Sequence, residues 1–280
     1  MTEISAASVK ALREATNAGM MECKRALTEA KGDQAKALRI LRERGIAIAE
    51  KKSSRTANQG VISSFIAESG RAGSLIEVNC ETDFVAKNEG FRAFVAKLAE
   101  KAAGLDGSLA EAAKADITAK IAEMGENIVV RRNIRFVLQK SGMIAAYIHH
   151  GSAIGVLLEL NCAQNDTAQK PAFKELAKDI CLHVAASRPR FLDRAGVPPE
   201  IVTAEKEIFA KQVTGKPPQI VAKIVEGKMG KFYEQACLLE QPFVKDQDKT
   251  VTSLLAEKGK ELADEIKIGR FVRFQVGEPV

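Results

Sequence analysis

Leu75-Ile76-Glu77-Val78-Asn79-Cys80 recurs as Leu157-Leu158-Glu159-Leu160-Asn161-Cys162, 82 positions further on (157 − 75 = 82). The same offset relates Gly60-Val61-Ile62-Ser63-Ser64-Phe65-Ile66 to Gly142-Met143-Ile144-Ala145-Ala146-Tyr147-Ile148, and Phe91 and Leu98 to Phe173 and Ile180. In each copy two short apolar, β-rich runs read as an antiparallel pair, and the helical spacing behind them reads as a helix. Ile134-Arg135-Phe136 and Val272-Arg273-Phe274 supply a closing strand to each copy, but at an offset of 138 (272 − 134), so the second copy holds 56 extra residues (138 − 82). That surplus is assigned to residues 198–235. Helical patterns from Ile201 to Val213 and from Ile220 to Tyr233 flank Thr214-Gly215-Lys216-Pro217-Pro218 there, where Gly ends one helix and Pro starts the next. The expectation is an α+β chain with two repeated subdomains, 60–140 and 141–280, each with an antiparallel sheet. The second carries an inserted antiparallel helical hairpin at about 198–235. The hairpin offers a surface for a homodimer, a 2:2 complex or another partner, and reads equally well as decoration.

Between the strand ending at Cys80 and the helix beginning near Phe91 stands Thr82-Asp83-Phe84-Val85-Ala86-Lys87-Asn88. Strand-to-helix connections lie at the surface, so Phe84 is either tucked under its own turn or offered to a partner. The repeat bears on the choice. This stretch aligns with Gln164-Asn165-Asp166-Thr167-Ala168-Gln169-Lys170, placing Asp166 opposite Phe84 and Thr167 opposite Val85. An aromatic required by a shared core would not alternate with a carboxylate, which moves Phe84 toward binding.

Upstream, residues 1–45 carry three helical segments. Val9, Leu12 and Ala15 recur at helical spacing, Gly19 interrupts, Met21 to Ala30 resume, and Gly32-Asp33 opens a third helix ending at Gly45. This resembles a three-helix module of the ubiquitin-associated type. Met20 and Met21 are expected to pack inward, the alternative being an adaptable exposed contact. Residues 46–59, with Glu50-Lys51-Lys52-Ser53-Ser54-Arg55, read as a basic linker.

A chain of 280 residues with 46% hydrophobic content can bury a sizeable core. Its 42 basic and 36 acidic residues give a net charge of +6, a mild bias toward an acidic partner or nucleic acid. Five cysteines without CxxC spacing fit buried thiols in a reducing compartment. The start Met1-Thr2-Glu3-Ile4-Ser5 has no basic, apolar leader pattern, and no apolar run approaches ~18 residues. The expected location is therefore cytoplasmic, with no membrane attachment. The phosphate-loop, zinc-protease, nucleophile-elbow and dinucleotide motifs are all missing, and His149, His150 and His183 have no evident partner in sequence. The expectation is no enzyme, no catalytic residue, no metal ligand and no cofactor. RNA binding through the basic linker is the alternative function, although 12 Phe, 2 Tyr and no Trp show no clustered stacking platform.

A longer set of motifs narrows the function. It comprises Leu12-Arg13 through Thr16, Gly19-Met20-Met21 and Cys23-Lys24, then Val78-Asn79-Cys80-Glu81-Thr82-Asp83-Phe84-Val85-Ala86-Lys87 and Gly125-Glu126-Asn127. It continues with His150-Gly151, Ile154-Gly155-Val156-Leu157, His183-Val184-Ala185-Ala186, Gly215-Lys216-Pro217 and Gln241-Pro242-Phe243. Over essentially its whole length the chain resembles the bacterial elongation factor Ts family, the guanine-nucleotide exchange factors for elongation factor Tu. It departs from the family pattern at Met124, where Ile is common. It also ends at Val280 without the C-terminal helical module of some members. The resemblance implies binding to elongation factor Tu in its GDP-bound and nucleotide-free forms, with no specific nucleic acid. It implies that the turn Thr82, Asp83, Phe84, Val85 dislodges magnesium, with Phe84 entering the GTPase domain and Asp83 helping to hold the loop. It further implies partner contacts from Arg13, Met20 and Lys24, from Lys51 and Lys52, from Met124, Gly125 and Asn127, and from His150.

Overall fold

The computed structural model describes residues 4–149, 151–213 and 216–279. Three helices open the chain: α1 (Ala6–Thr16), α2 (Met20–Glu29) and α3 (Gln34–Lys52). Ser5 caps α1 by accepting the Ser8 amide, Asp33 caps α3 by accepting that of Lys36, and Asn17 ends α1 in the left-handed conformation. Val9, Leu12, Cys23, Ala26, Leu27 and Ala37 meet in a small core.

Two expectations fail in this region. The third helix does not end at Gly45 but runs to Lys52, so half of the supposed 46–59 linker is helix and only residues 53–58 lead to the first strand. A glycine costs a helix interior about 1 kcal/mol. Tertiary packing offsets that cost, because Gly45 is buried beside Ala122 and Ala49 packs on the neighbouring core. Met20 and Met21 are 55% and 63% exposed rather than packed inward. The inward stripe of α2 is Cys23, Ala26 and Leu27, and at its first turn so short a module has no more interior to offer.

The chain then builds β1 (Gln59–Ile66), β2 (Ala72–Cys80), α4 (Asp83–Lys87), α5 (Glu89–Ala103), α6 (Leu109–Ala112), α7 (Lys114–Met124) and β3 (Val129–Val137). It continues with β4 (Gly142–Ile148), β5 (Ile154–Cys162), a 3-10 turn (Asn165–Gln169), α8 (Pro171–Ser187), α9 (Pro199–Lys211), α10 (Pro218–Ala236), β6 (Pro242–Phe243), β7 (Asp246–Thr250), α11 (Val251–Leu262) and β8 (Ile266–Gln275). The strands form two three-stranded antiparallel sheets, β1-β2-β3 and β4-β5-β8, and a small β6-β7 ribbon. Gly60 pairs with Asn79 and Gly142 with Asn161; Leu75 pairs with Ile134 and Leu157 with Val272. Both central strands carry a bulge after the same glutamate, Glu77 or Glu159.

Burial explains why the repeated hexapeptide is nearly continuous in its apolar residues. Ile76 and Val78 of β2 pack with Phe91 and Val95 of α5, whereas Leu75 on the opposite face meets the other sheet, among Ile62, Phe136, Ile144, Leu157 and Phe274. A strand covered on both faces loses the alternation of a half-exposed one.

Contacts between the two sheets are reciprocal. The guanidinium of Arg132 lies over the Phe274 ring at 4.0 Å, and that of Arg270 over the Phe136 ring at 4.2 Å. Arg132 donates to the Gln275 carbonyl (3.1 Å) and Arg270 to the Val137 carbonyl (3.2 Å). The Ile62 amide donates to Ser152 O (2.7 Å) and the Ile144 amide to Gly70 O (2.8 Å). Gly73 and Gly155 leave the room this needs: a Cβ on Gly73 would strike Ile66 and Ile144, and one on Gly155 would strike Ile148 and Ile62. Position i meeting j while j meets i is the pattern of a two-fold interface, here formed within one chain.

At the 138-residue offset of the closing strands α11 corresponds to α7, and both end on left-handed residues, Gly125 and Ala263. The extra residues therefore fall between α8 and α11. The α9–α10 hairpin takes most of them, and the crossing from α8 and the β6-β7 ribbon take the rest. Pro199 and Pro218 begin the two hairpin helices; of the expected turn, Thr214-Gly215 lies outside the described residues. All five cysteines are buried and unpaired. Among the described residues no helix is long and apolar enough to cross a membrane.

Candidate partner-binding site

Once β2 ends at Cys80 the chain turns sharply, and one carboxylate organises the turn. Glu126 accepts the amides of Glu81 (3.1 Å) and Thr82 (3.0 Å) through Oε2 and the Thr82 hydroxyl (2.6 Å) through Oε1. The same hydroxyl oxygen accepts the Val85 amide (3.3 Å) and caps α4. The Cys80 thiol donates to Thr82 O at 3.2 Å; burial and the nearby Glu126 charge push its pKa up to about 11, so it stays protonated. Asn88 caps α5 by accepting the Phe91 amide at 3.0 Å, and Arg92 donates to Ala86 O at 3.0 Å. A hydrogen bond and ion pair from Lys87 (2.7 Å) lower the pKa of Asp83.

This framework turns Ala86 inward and Phe84 outward. Ala86 is buried, and Phe84 is 81% exposed. Phe84 is therefore not under its own turn. Its ring stands in water on a short helical turn held at both ends, forgoing the roughly 1.5–3 kcal/mol that burying a Phe would give.

Beneath the turn, Gly125 takes the left-handed conformation at the end of α7, and its carbonyl accepts the Lys52 ammonium. The buried Asn127 donates its backbone amide to Glu81 (2.7 Å) and its side-chain amide to Arg55 O (2.7 Å). Arg55 in turn pairs with Glu81 at 3.4 Å. The bond from Asn127, opposed by partial desolvation and helped by Arg55, lowers the pKa of Glu81. Lys52, Gly125 and Asn127 thus join the Thr82–Val85 turn in one structure, with half-buried Met124 packed on the core below. Asn127 is buried and bonded to the turn through Glu81, and Met124 is half-buried. Arg13, Met20 and Lys24 are exposed on the three-helix module, and Lys51 is exposed near the end of α3. His150 lies outside the described residues; its neighbour His149 shares a hydrogen bond with Tyr147 (3.1 Å).

Glu126 is the site residue that sequence reasoning passed over. Its signal was available: at the 138-residue offset of the closing strands it aligns with Asp264. Asp264 accepts the amides of Ala163 (2.9 Å) and Gln164 (3.0 Å), the equivalents of Glu81 and Thr82.

Comparison with known proteins decides the family. The family model for elongation factor TS matches residues 81–278. The elongation factor Ts of Clostridium botulinum (strain Alaska E43 / Type E3) is 46% identical over 290 residues, covering 99% of this chain and 94% of that protein. The chain belongs to the elongation factor Ts family. Elongation factor Ts from Clostridium perfringens (strain SM101 / Type A) is 45% identical and that from a Nitratiruptor species 43%, each over 99% of this chain and 94% of the relative. As a member of the elongation factor Ts family the chain is a nucleotide exchange factor for elongation factor Tu, and the exposed Phe84 turn is read in that light.

Proposed function

We propose that the Phe84 turn is a wedge that releases GDP from elongation factor Tu by disturbing its magnesium. Magnesium neutralises the diphosphate and bridges it to the protein, so displacing its ligands weakens nucleotide binding without making or breaking a covalent bond. Exchange by this route calls for a rigid apolar projection and no nucleophile or cofactor. The observation that carries the reading is the 81% exposure of Phe84 on a turn immobilised by Glu126. Interface aromatics of this kind contribute ~2 kcal/mol or more. Each 1.4 kcal/mol of negative coupling is about tenfold in affinity, and the coupling is reciprocal, so bound nucleotide also loosens the factor.

In this reading Asp83 and Val85 shape the turn, and Lys52, Gly125 and Asn127 hold it. Arg13, Met20 and Lys24 add a second contact from a ubiquitin-associated-like module, and Lys51 and His150 flank the interface. The chain acts in the cytoplasm as that module followed by two α+β subdomains, 60–140 and 141–280, and the hairpin is open to a 2:2 assembly. RNA binding through the linker is less well supported, because Lys52 and Arg55 are engaged with Gly125 and Glu81. The test is release of fluorescent GDP from purified elongation factor Tu. Sub-stoichiometric chain should accelerate it, and an unchanged rate would refute the proposal.

A further inference from the structure

At the root of the hairpin an open cleft of about 510 Å³ separates α10 from the segment joining α8 to α9. Cations stand on both walls: Arg188 and Arg190 on the connecting segment, Lys228 and Lys231 on α10. Phe209 of α9 and Phe232 of α10 line the same cleft. Glu205 is the one carboxylate-bearing residue in the lining, and among the described residues none of the four cations lies within 4.0 Å of a carboxylate oxygen. Lys228 donates to Gln212 (2.6 Å) and stands 5.5 Å from the Phe209 ring centre.

The arrangement is held in place before any ligand arrives. The amides of Arg190 (2.8 Å) and Phe191 (3.0 Å) both donate to Ala236 O, which ties the connecting segment to the end of α10. Arg188 ends α8 in the left-handed conformation with φ of 52°. A cation at a helix C-terminus is favourable on its own account, but that does not explain Arg190, Lys228 and Lys231.

We infer that this cleft binds the phosphate backbone of single-stranded RNA, with bases against Phe209 and Phe232. Phosphates and flat apolar bases alternate along a strand, and cationic walls around aromatic faces match that alternation. An acidic protein helix would match the charge but has no flat groups for the rings. An open groove suits a polymer better than a closed pocket would. The site is independent of the Phe84 turn and of the linker residues.

Fluorescence anisotropy of the full chain with a labelled 12-nucleotide RNA tests the inference. Neutralising three or four phosphates predicts a slope of log affinity on log salt of about −2.1 to −2.8, or roughly 20- to 50-fold weaker binding on going from 50 to 200 mM KCl. Arg188→Gln with Arg190→Gln, and separately Lys228→Gln with Lys231→Gln, should each make that slope shallower by about 1.4. Nucleotide exchange on elongation factor Tu should stay at the wild-type rate in both. Equally effective competition by polyglutamate would assign the cleft to an acidic protein and overturn the inference. So would undetectable binding at 50 mM salt, or an unchanged slope in both variants with wild-type circular dichroism. A loss of exchange activity by Phe84→Ala with RNA binding retained would show the two sites failing separately.

Discussion

The turns that follow β2 and β5 are built to one plan and differ at one decisive position. In each, a carboxylate from the end of the matching helix accepts two successive backbone amides, Glu126 in the first and Asp264 in the second. In each, a cysteine thiol donates to a carbonyl two residues on, and an alanine, Ala86 or Ala168, is buried. At the exposed apex the first turn carries Phe84 and the second Asp166. The frame therefore belongs to the fold, and the aromatic is an addition to it. A side chain that the fold does not need, standing where the fold holds it still, is what a binding residue looks like in physical terms.

The largest effect that would break this comparison is on exchange itself. Phe84→Ala should slow stimulated GDP release about 30-fold, the equivalent of ~2 kcal/mol at an interface hot spot. Its melting temperature should stay at the wild-type value, because an exposed side chain contributes little to stability. Asp166→Ala should change neither quantity; a variant pair with equal exchange defects would remove the distinction between the turns.

Next comes the frame. Hydrogen bonds to a charged group contribute ~1.5–3 kcal/mol, so Glu126→Ala and Asp264→Ala should lower urea stability by a similar amount, about 2 kcal/mol each. Only Glu126→Ala should also slow exchange, by roughly tenfold, since it alone frees the segment that bears Phe84. Equal exchange rates in the two variants would show that the rigidity of the first turn is irrelevant.

How much of this was legible beforehand depends on whether the controlling interaction is local. The antiparallel pairs followed from repeated runs such as Leu75–Cys80 and Leu157–Cys162, whose apolar, β-rich character is local; their registers, with a bulge after Glu77 and Glu159, came only with the structure. The length of α3 did not follow, because Gly45 and Ala49 continue the helix only by packing against α7 and the first sheet's core. The exposure of Met20 and Met21 reflects the small size of the N-terminal core, which no helical pattern reports. Phe84 was legible as a discrepancy between copies. Glu126 was not singled out, because its partners Glu81 and Thr82 are more than 40 residues away and meet it only when the sheet closes.

Two smaller effects sharpen the contrast between the halves. Removing residues 201–233 and closing the gap with a short turn should leave the circular dichroism signature of both sheets intact, since α9 has no buried residue and Met229, the buried residue of α10 within that stretch, is not part of the second sheet's core cluster; collapse would make the hairpin part of the second core. The least effect is on acid sensitivity. His183 of α8 is buried where α5 has exposed Lys101, and it accepts the Val244 amide at Nδ1 (3.1 Å) and donates from Nε2 to Gln241 (2.9 Å). Burial, opposed by the Gln241 bond, lowers its pKa. The native state therefore binds that proton less readily than the unfolded chain does, and stability should fall as pH drops below about 6.5, down to the lowered native pKa. His183→Gln should flatten that part of the urea-midpoint profile, and an unaltered profile would remove His183 as its source.

The most direct test of the wedge is its dependence on magnesium. Stimulated and spontaneous GDP release from elongation factor Tu would be measured in magnesium and in excess chelator, with wild-type chain and with Phe84→Ala. If Phe84 acts by dislodging the metal, chelation does part of its work in advance: spontaneous release should quicken, the ratio of stimulated to spontaneous rates should shrink, and Phe84→Ala should lose most of its defect. An unchanged ratio and an undiminished Phe84→Ala defect in chelator would contradict metal displacement as the mechanism.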